Sequence, residues 1–232
     1  RDVLGSRGLG DVYKRQRPDY LKDARAEYAE GTLSADQLRE VEDKAIKELV
    51  EKEKAVGLKA VTDGELRRRY WHLDFLASLV GVEEIKADHW SVAFKGHQPK
   101  AATLEIVDKI DFDENSEFLD HFSYLKEIAG DVDCKMTIPS PAMLHLICCV
   151  RGSETYKAID RYKNEDALYH EIALAYQKAI KAFYARGCRY LQFDDTSWGE
   201  FCDQNKRDDY ACLLYTSPST RDPKTPRMPS SA

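Results

Sequence analysis

Two pairs of carboxylates in this chain are spaced so that they could share one task. Asp63 and Glu65 flank Gly64, and Asp194 and Asp195 close the run Cys188-Arg189-Tyr190-Leu191-Gln192-Phe193. Each pair follows a short apolar-leaning segment that reads as a strand, so both pairs stand at strand C-terminal ends. Leu191 and Phe193 suit a sheet packed against helices, and their segment reads as a buried strand. In parallel α/β folds ligands and catalytic groups gather at that end, because the loops there vary while the strands hold them still. If the two strands share a sheet, the four acids converge on one rim, an arrangement suited to a cationic group or a metal. The plain alternative is that they are helix N-caps and solvated loop acids.

Other candidates are weaker. His145, Cys148 and Cys149 fall at i, i+3 and i+4, a spacing that could face three ligands toward zinc. Their segment, residues 143–150, is apolar throughout, which favours core cysteines instead. Arg67-Arg68-Arg69 could hold a polyanionic tail or form a solvated loop face. Ser140 and Ser197 lack the G-x-S-x-G elbow of a serine hydrolase. The six cysteines show no C-x-x-C spacing and read as reduced thiols.

The elements that must position these residues recur in one order. Tyr20, Leu21, Ala24 and Tyr28 are spaced for one helical face, with Gly31 as the stop. Ser34 with Gln37 is a capping-box signature, and Leu38, Val41, Ala45, Leu49 and Val56 form a stripe ending at Gly57. A strand at residues 58–61 follows. Residues 71–79 predict an apolar helix, and residues 90–94 and 102–107 predict two strands of a hairpin insertion around Gly96-His97-Gln98-Pro99. A helix over 115–129 ends at Gly130 and leads to a strand that Pro139 and Pro141 terminate. Asn164 caps a helix with the stripe Leu168, Ile172, Ala175, Ala179 and Phe183, Gly187 ends it, and the strand before Asp194 follows. Helix, glycine, strand and polar tip therefore appear three times, which predicts an α/β fold with a parallel sheet. A doubly wound sheet and a (β/α)8 barrel both fit. No G-x-G-x-x-G follows any strand, which weakens the dinucleotide-binding version. A whole barrel takes about 250 residues, so the expectation is a (β/α)8 TIM barrel truncated to roughly its first half.

At 232 residues and 43% hydrophobic, the chain can build a sizeable core. No window approaches the ~20 apolar residues of a membrane helix and no signal-peptide core is visible, so a cytoplasmic location is expected. Residues 1–16 and 212–232 lack hydrophobic periodicity. Asp11-Val12-Tyr13-Lys14-Arg15-Gln16 can be encoded by DNA whose reverse complement, in a shifted frame, reads Cys-Leu-Leu-Tyr-Thr-Ser, the residues at 212–217. Both ends therefore read as non-native, sequencing-adapter-like segments, and residues 17–211 as the biological part. The ends carry seven Lys/Arg and three Asp/Glu, so without them the net charge falls from −6 to −10. Such an acidic balance argues against nucleic acid as partner.

Five segments in order carry a resemblance: Arg17-Pro18-Asp19-Tyr20-Leu21-Lys22, Val61-Thr62-Asp63-Gly64-Glu65, Trp71-His72-Leu73-Asp74-Phe75, Thr137-Ile138-Pro139-Ser140-Pro141 and Leu191-Gln192-Phe193-Asp194-Asp195-Thr196-Ser197-Trp198. Together they resemble the cobalamin-independent methionine synthase family, and within it the single-barrel members that correspond to the catalytic domain. The resemblance implies a (β/α)8 barrel in which a zinc-bound homocysteine thiolate takes a methyl group from 5-methyltetrahydrofolate polyglutamate. It implies that Glu65 and Asp194 hold the amino group of homocysteine and that residues 137–141 line the folate side. Asp63, Glu65, Thr137, Ser140, Asp194 and Trp198 are thus the implied substrate-binding positions, with no catalytic residue and no metal ligand inside the chain. Two departures stand out. The family's G-S-F segment before Arg-Pro is replaced by residues 1–16, and its zinc ligands, a His-x-Cys pair, a glutamate and a later cysteine, fall after this chain's end. A fragment of a zinc-dependent S-methyltransferase, inactive alone, is the expectation. Coenzyme M transferases, uroporphyrinogen decarboxylase-like barrels and a non-catalytic binding module are the alternatives.

Overall fold

The computed structural model describes residues 17–86, 102–150 and 158–200, with positions 202, 204, 207 and 208. Both adapter-like ends, the strand expected at 90–94 and the turn expected at Gly96-His97-Gln98-Pro99 lie outside the described residues. The chain divides into two compact units, residues 1–194 and 195–232.

The first unit opens with two helices, α1 (Asp19–Ala29) and α2 (Ala35–Ala55). The capping box forms as its residues predict: Gln37 N–H donates to Ser34 Oγ at 3.2 Å, and Ser34 N–H donates to Gln37 Oε1 at 2.9 Å. Ala45, Ile46, Leu49 and Val50 bury one face of α2 against Leu21 of α1 and Val61 of strand β1 (Ala60–Val61). After a short helix α3 (Leu73–Ala77), strands β2 (Val80–Lys86) and β3 (Ala102–Asp111) pair antiparallel. The hairpin is therefore present, but the strand seen pairing with 102–107 is 80–86. Alternation hid it, because Val80 and Ile85 are exposed while Val82 is buried, and a register shift lies between Val80 and Val82.

Helix α4 (Glu117–Ala129), strand β4 (Asp133–Pro139), helix α5 (Pro141–His145) with the π turn Leu146–Val150, helix α6 (Glu165–Ala185) and strand β5 (Tyr190–Asp194) complete the unit. Asn164 caps α6, its Oδ1 accepting Asp166 N–H at 3.0 Å. Strands β1, β4 and β5 form a parallel sheet with β4 in the middle. The predicted α/β class and parallel sheet are present, but among the described residues the sheet is open and three-stranded rather than a closed barrel. Openness also corrects the expectation of a buried β5. Tyr190 and Phe193 are 48% and 42% exposed, because β4 covers one edge of β5 and no described strand covers the other.

The larger core lies among the hairpin, α3, α4, β4 and α6. Phe75, Phe118, Phe122, Ile138, Ala175, Ala179 and Phe183 are essentially inaccessible there. Met136 and Ile138 bury β4 in this core. None of the described helices is long and apolar enough to cross a membrane.

The second unit holds a short helix α7 (Ser197–Glu200). Asp195 Oδ1 accepts Ser197 N–H at 2.8 Å and also bonds the Ser197 hydroxyl, so Asp195 caps a turn. Trp198 lies on α7 and is 73% exposed.

Candidate functional site

Three parallel strands place their C-terminal ends on one rim. The registers Val61↔Cys134 and Pro139↔Asp194 fix the order. The turn after β1, residues 62–65, reaches past Cys134 to the level of Thr137. Ser140 follows directly from β4, and its N–H donates to the Asp194 carbonyl at 2.8 Å. Thr137 Oγ1 donates to Glu65 Oε1 at 2.5 Å, a contact spanning 72 residues of sequence. Four of the implied positions, Glu65, Thr137, Ser140 and Asp194, thus lie at the same end of one sheet, with β4 linking the other two elements.

The turn itself is held backbone atom by backbone atom. Gly64 N–H donates to Thr62 Oγ1 at 2.8 Å, and Glu65 N–H donates to Asp63 Oδ1 at 2.9 Å. Asp63 is 4% exposed, so its role here is to shape the turn. Gly64 has φ +60°, which favours glycine, and a Cβ there would meet Leu49 Cδ2 at 2.4 Å, so a larger residue would also have to displace that side chain. Glu65 follows with φ +56°, the one non-glycine residue with positive φ among those described. A strained residue of this kind costs on the order of 1–3 kcal/mol and persists only where its surroundings over-determine it. Here they do, since both its N–H and its carboxylate are engaged and it is buried.

Arg68 supports the same carboxylate. Its Nη1 lies 3.4 Å from Glu65 Oε1 and donates to the Trp71 carbonyl at 3.0 Å, while Nη2 donates to the Thr137 carbonyl. The guanidinium stacks over Phe118 with its carbon 5.3 Å from the ring centre. Arg17 Nη2 in turn donates to the Arg68 carbonyl at 2.5 Å, and burial beside Arg25 lowers the Arg17 pKa from its ordinary value. Arg67 pairs with Glu42 at 3.4 Å and with Asp43. Arg67 and Arg68 are therefore structural, neither a polyanion clamp nor a solvated face. Arg69 alone faces solvent, paired with Glu84 at 2.7 Å. Burial and the nearby Arg67 cation hold His121 down to about 4, so it is neutral at neutral pH.

Asp194 accepts a 2.5 Å hydrogen bond from Gln192 Nε2 through Oδ1. Ser140 is 6% exposed, and its Oγ is a buried polar atom with no partner among the described residues. A buried hydroxyl without a protein partner needs a water or a ligand to satisfy it. The rim can therefore present carboxylate oxygens and one hydroxyl to a small polar molecule.

His145, Cys148 and Cys149 do not form a ligand set. His145 Nε2 contacts Tyr169 Oη at 3.1 Å and Glu165 at 3.8 Å, while Cys148 is core and burial pushes its thiol far up. Among the described residues no three His, Cys, Asp or Glu side chains converge as metal ligands. The donors present do not fit the zinc that the resemblance implies, and no chemical step is derived through a metal.

Sequence reasoning missed two residues of this assembly. Arg68 lay inside a basic run that hid its separate fate. Glu53 had a signal: it continues the stripe Ala45, Leu49 at the next four-residue step, and a carboxylate on an apolar stripe marks a buried acid. Its side chain is 0% exposed, with Oε2 accepting Thr62 N–H at 2.8 Å.

No family model matches the chain. It is 45% identical over 189 residues to the uncharacterized Bacillus subtilis protein YxjG, covering 81% of this chain and 48% of that protein. The chain thus spans about half the length of the curated relative. A provisionally named vitamin-B12-independent methionine synthase from Listeria monocytogenes has a similar structure, with 39% identity, a TM-score of 0.66 and coverage of 88% of this chain and 59% of that one. A B12-independent methionine synthase from a Shewanella species, solved with selenomethionine, shares the fold at 20% identity and a TM-score of 0.54, over 82% of this chain and 52% of that one. In sequence and in fold, this chain is similar to the matched part of the vitamin-B12-independent methionine synthase from Listeria monocytogenes, and in fold to that of the Shewanella enzyme.

Proposed function

We propose that the rim formed by Glu65, Thr137, Ser140 and Asp194 binds the amino-acid end of homocysteine, and that the chain is part of a zinc-dependent enzyme methylating that thiol from 5-methyltetrahydrofolate. The observation that carries this reading is the Thr137–Glu65 hydrogen bond, because it brings the turn after β1 onto the β4 tip beside which Asp194 lies. Glu65 and Asp194 are the groups for the substrate ammonium, and Thr137 orients the Glu65 carboxylate. Ser140 Oγ is the hydroxyl for a polar group of either substrate. Asp63 acts through the turn rather than by contact, and Trp198 stays a substrate-binding position by the resemblance alone. The selenomethionine bound by the Shewanella enzyme has the amino and carboxyl groups of the expected product, which supports an amino-acid site in this fold. This reading assigns no zinc ligand to a residue of this chain, and a cytoplasmic location suits a biosynthetic enzyme of this kind.

An ammonium held by two partly dry carboxylates makes charge-assisted hydrogen bonds worth roughly 1.5–3 kcal/mol each. In the full-length protein that carries this segment, Asp194→Asn removes one charge at constant shape, so calorimetric titration should show homocysteine binding weakened by about ten- to a hundredfold. Asp195→Asn should leave affinity unchanged, since its carboxylate caps the Ser197 turn and Asn caps about as well. Equal affinity for Asp194→Asn and the parent would defeat the assignment; a loss confined to Asp195→Asn would move it by one residue.

The same reading treats residues 1–16 and 212–232 as non-native. Removing both should leave the melting temperature within about 2 °C, a change of under about 1 kcal/mol for a chain of this size. A drop of several degrees in matched buffer would show that those segments pack against the fold.

A further inference from the structure

We propose that Glu53 is a positioning residue of the rim: its buried carboxyl, through Thr62 N–H, fixes the backbone on which Asp63 and Glu65 are presented. This rests on the reading of the rim as a ligand site, and it adds a residue that lies outside the rim and touches no ligand. Glu53 stands in the last turn of α2, is 0% exposed, and accepts Thr62 N–H through Oε2 at 2.8 Å. Thr62 Oγ1 then accepts Gly64 N–H, and Asp63 Oδ1 accepts Glu65 N–H, so three N–H groups between Thr62 and the strained Glu65 are each held by a side-chain oxygen, the first of them by Glu53. The helix α2 and the turn are thereby locked in register. Glu53 Oε1, in contrast, is a buried oxygen with no partner among the described residues.

An ionised carboxylate with one oxygen unpartnered in a dry site is unfavourable, and the neighbouring charges do not compensate for it. Burial raises the Glu53 pKa to about 7; the Thr62 N–H bond opposes the rise, Asp63 adds to it, and Lys135 on β4 opposes it. Asp63 and Lys135 are thus the charged groups that face it from the turn and from β4. The carboxyl is therefore neutral below pH 7 and ionises as the pH passes through about 7, next to the Asp63 carboxylate that shapes the turn. Repulsion between the two acids then acts on the backbone of the Asp63-Gly64-Glu65 turn. For stability the sign is the same. The folded pKa lies above the ordinary value of 4.5, so the contribution of Glu53 is complete below about pH 4.5 and is lost as pH rises through about 7.

The test uses the full chain, with amide resonances of Thr62 and Glu65 followed by NMR from pH 5.5 to 8.5, together with amide hydrogen exchange. In the parent both resonances should titrate together with a midpoint near 7. Glu53→Gln keeps the acceptor and the shape, so it should abolish that titration while preserving Thr62 protection. Glu53→Ala removes the acceptor and should speed Thr62 exchange by about tenfold beyond any global change, the equivalent of one lost hydrogen bond. A parent Thr62 resonance that stays flat across this range, or a titration that survives Glu53→Gln, overturns the proposal. The Glu53→Gln comparison decides the matter even if Glu53→Ala does not fold. No ligand enters these measurements, so a rim that binds no homocysteine would defeat the functional reading and leave this result standing separately.

Discussion

Arg68→Met should lower the unfolding free energy by about 3–5 kcal/mol, the scale expected when one partner of a buried ion pair is removed. Arg68 is 3% exposed, and its guanidinium serves three groups at once: the Glu65 carboxylate at 3.4 Å, the Trp71 carbonyl at 3.0 Å and the Thr137 carbonyl. Methionine fills similar space over Phe118 but satisfies none of them. The Glu65 carboxylate would keep its Thr137 bond yet lose its nearby cation, and two carbonyls would lose a donor. The effect should reach the rim as well, because Arg68 ties the turn after β1 to β4 by a contact 69 residues apart in sequence. Urea unfolding followed by circular dichroism measures the loss. Arg69→Met is the internal comparison: that side chain is 59% exposed, so its pair with Glu84 should contribute about 0–1 kcal/mol. If the two variants behave alike, Arg68 is not the tie described here.

Phe75→Ala should cost about 3–5 kcal/mol by cavity formation and lost transfer energy. Phe75 is inaccessible to solvent and sits at the meeting point of an aromatic cluster. Its ring centre is 5.1 Å from Phe118 in an edge contact, 6.0 Å from Tyr176 and 6.4 Å from Phe112. Those neighbours belong to α4, α6 and the segment after β3, so one side chain joins the hairpin, two helices and, through the Tyr176 hydroxyl on the Pro139 carbonyl at 2.9 Å, the tip of β4. Against a total stability of ~5–15 kcal/mol such a loss is a large share, and broadened transitions should accompany it. Val56→Ala, at a position 59% exposed, should change stability by no more than about 0.5 kcal/mol. A Phe75→Ala loss below about 1 kcal/mol would mean that this core is not closely packed.

The helices of this protein were legible in its residues because a helix is specified within a few positions. The Ser34 and Gln37 reciprocal cap, the Asn164 cap and the stripe from Leu168 to Phe183 each involve groups no more than a few turns apart, and each appears in the structure. The three strands and their polar tips were legible for a related reason: short apolar runs beside glycine leave few other local conformations. Five ordered motifs also carried the family resemblance. What local pattern could not supply was the choice of partner across long stretches of chain. Arg67, Arg68 and Arg69 are alike in sequence, yet two are buried and one is solvated, since only the packing of α4 beneath the turn supplies Phe118, Tyr124 and the acids of α2 for the first two. Likewise Phe193 alternates like a core residue, but exposure depends on which strand lies beside β5 and not on β5 itself. The site divides in the same way. Residue types and spacing offered the four acids Asp63, Glu65, Asp194 and Asp195, and the family resemblance chose Glu65 and Asp194 among them, whereas the Thr137–Glu65 bond was decided by the tertiary structure, because a hydrogen bond across 72 residues exists only once the sheet register is set.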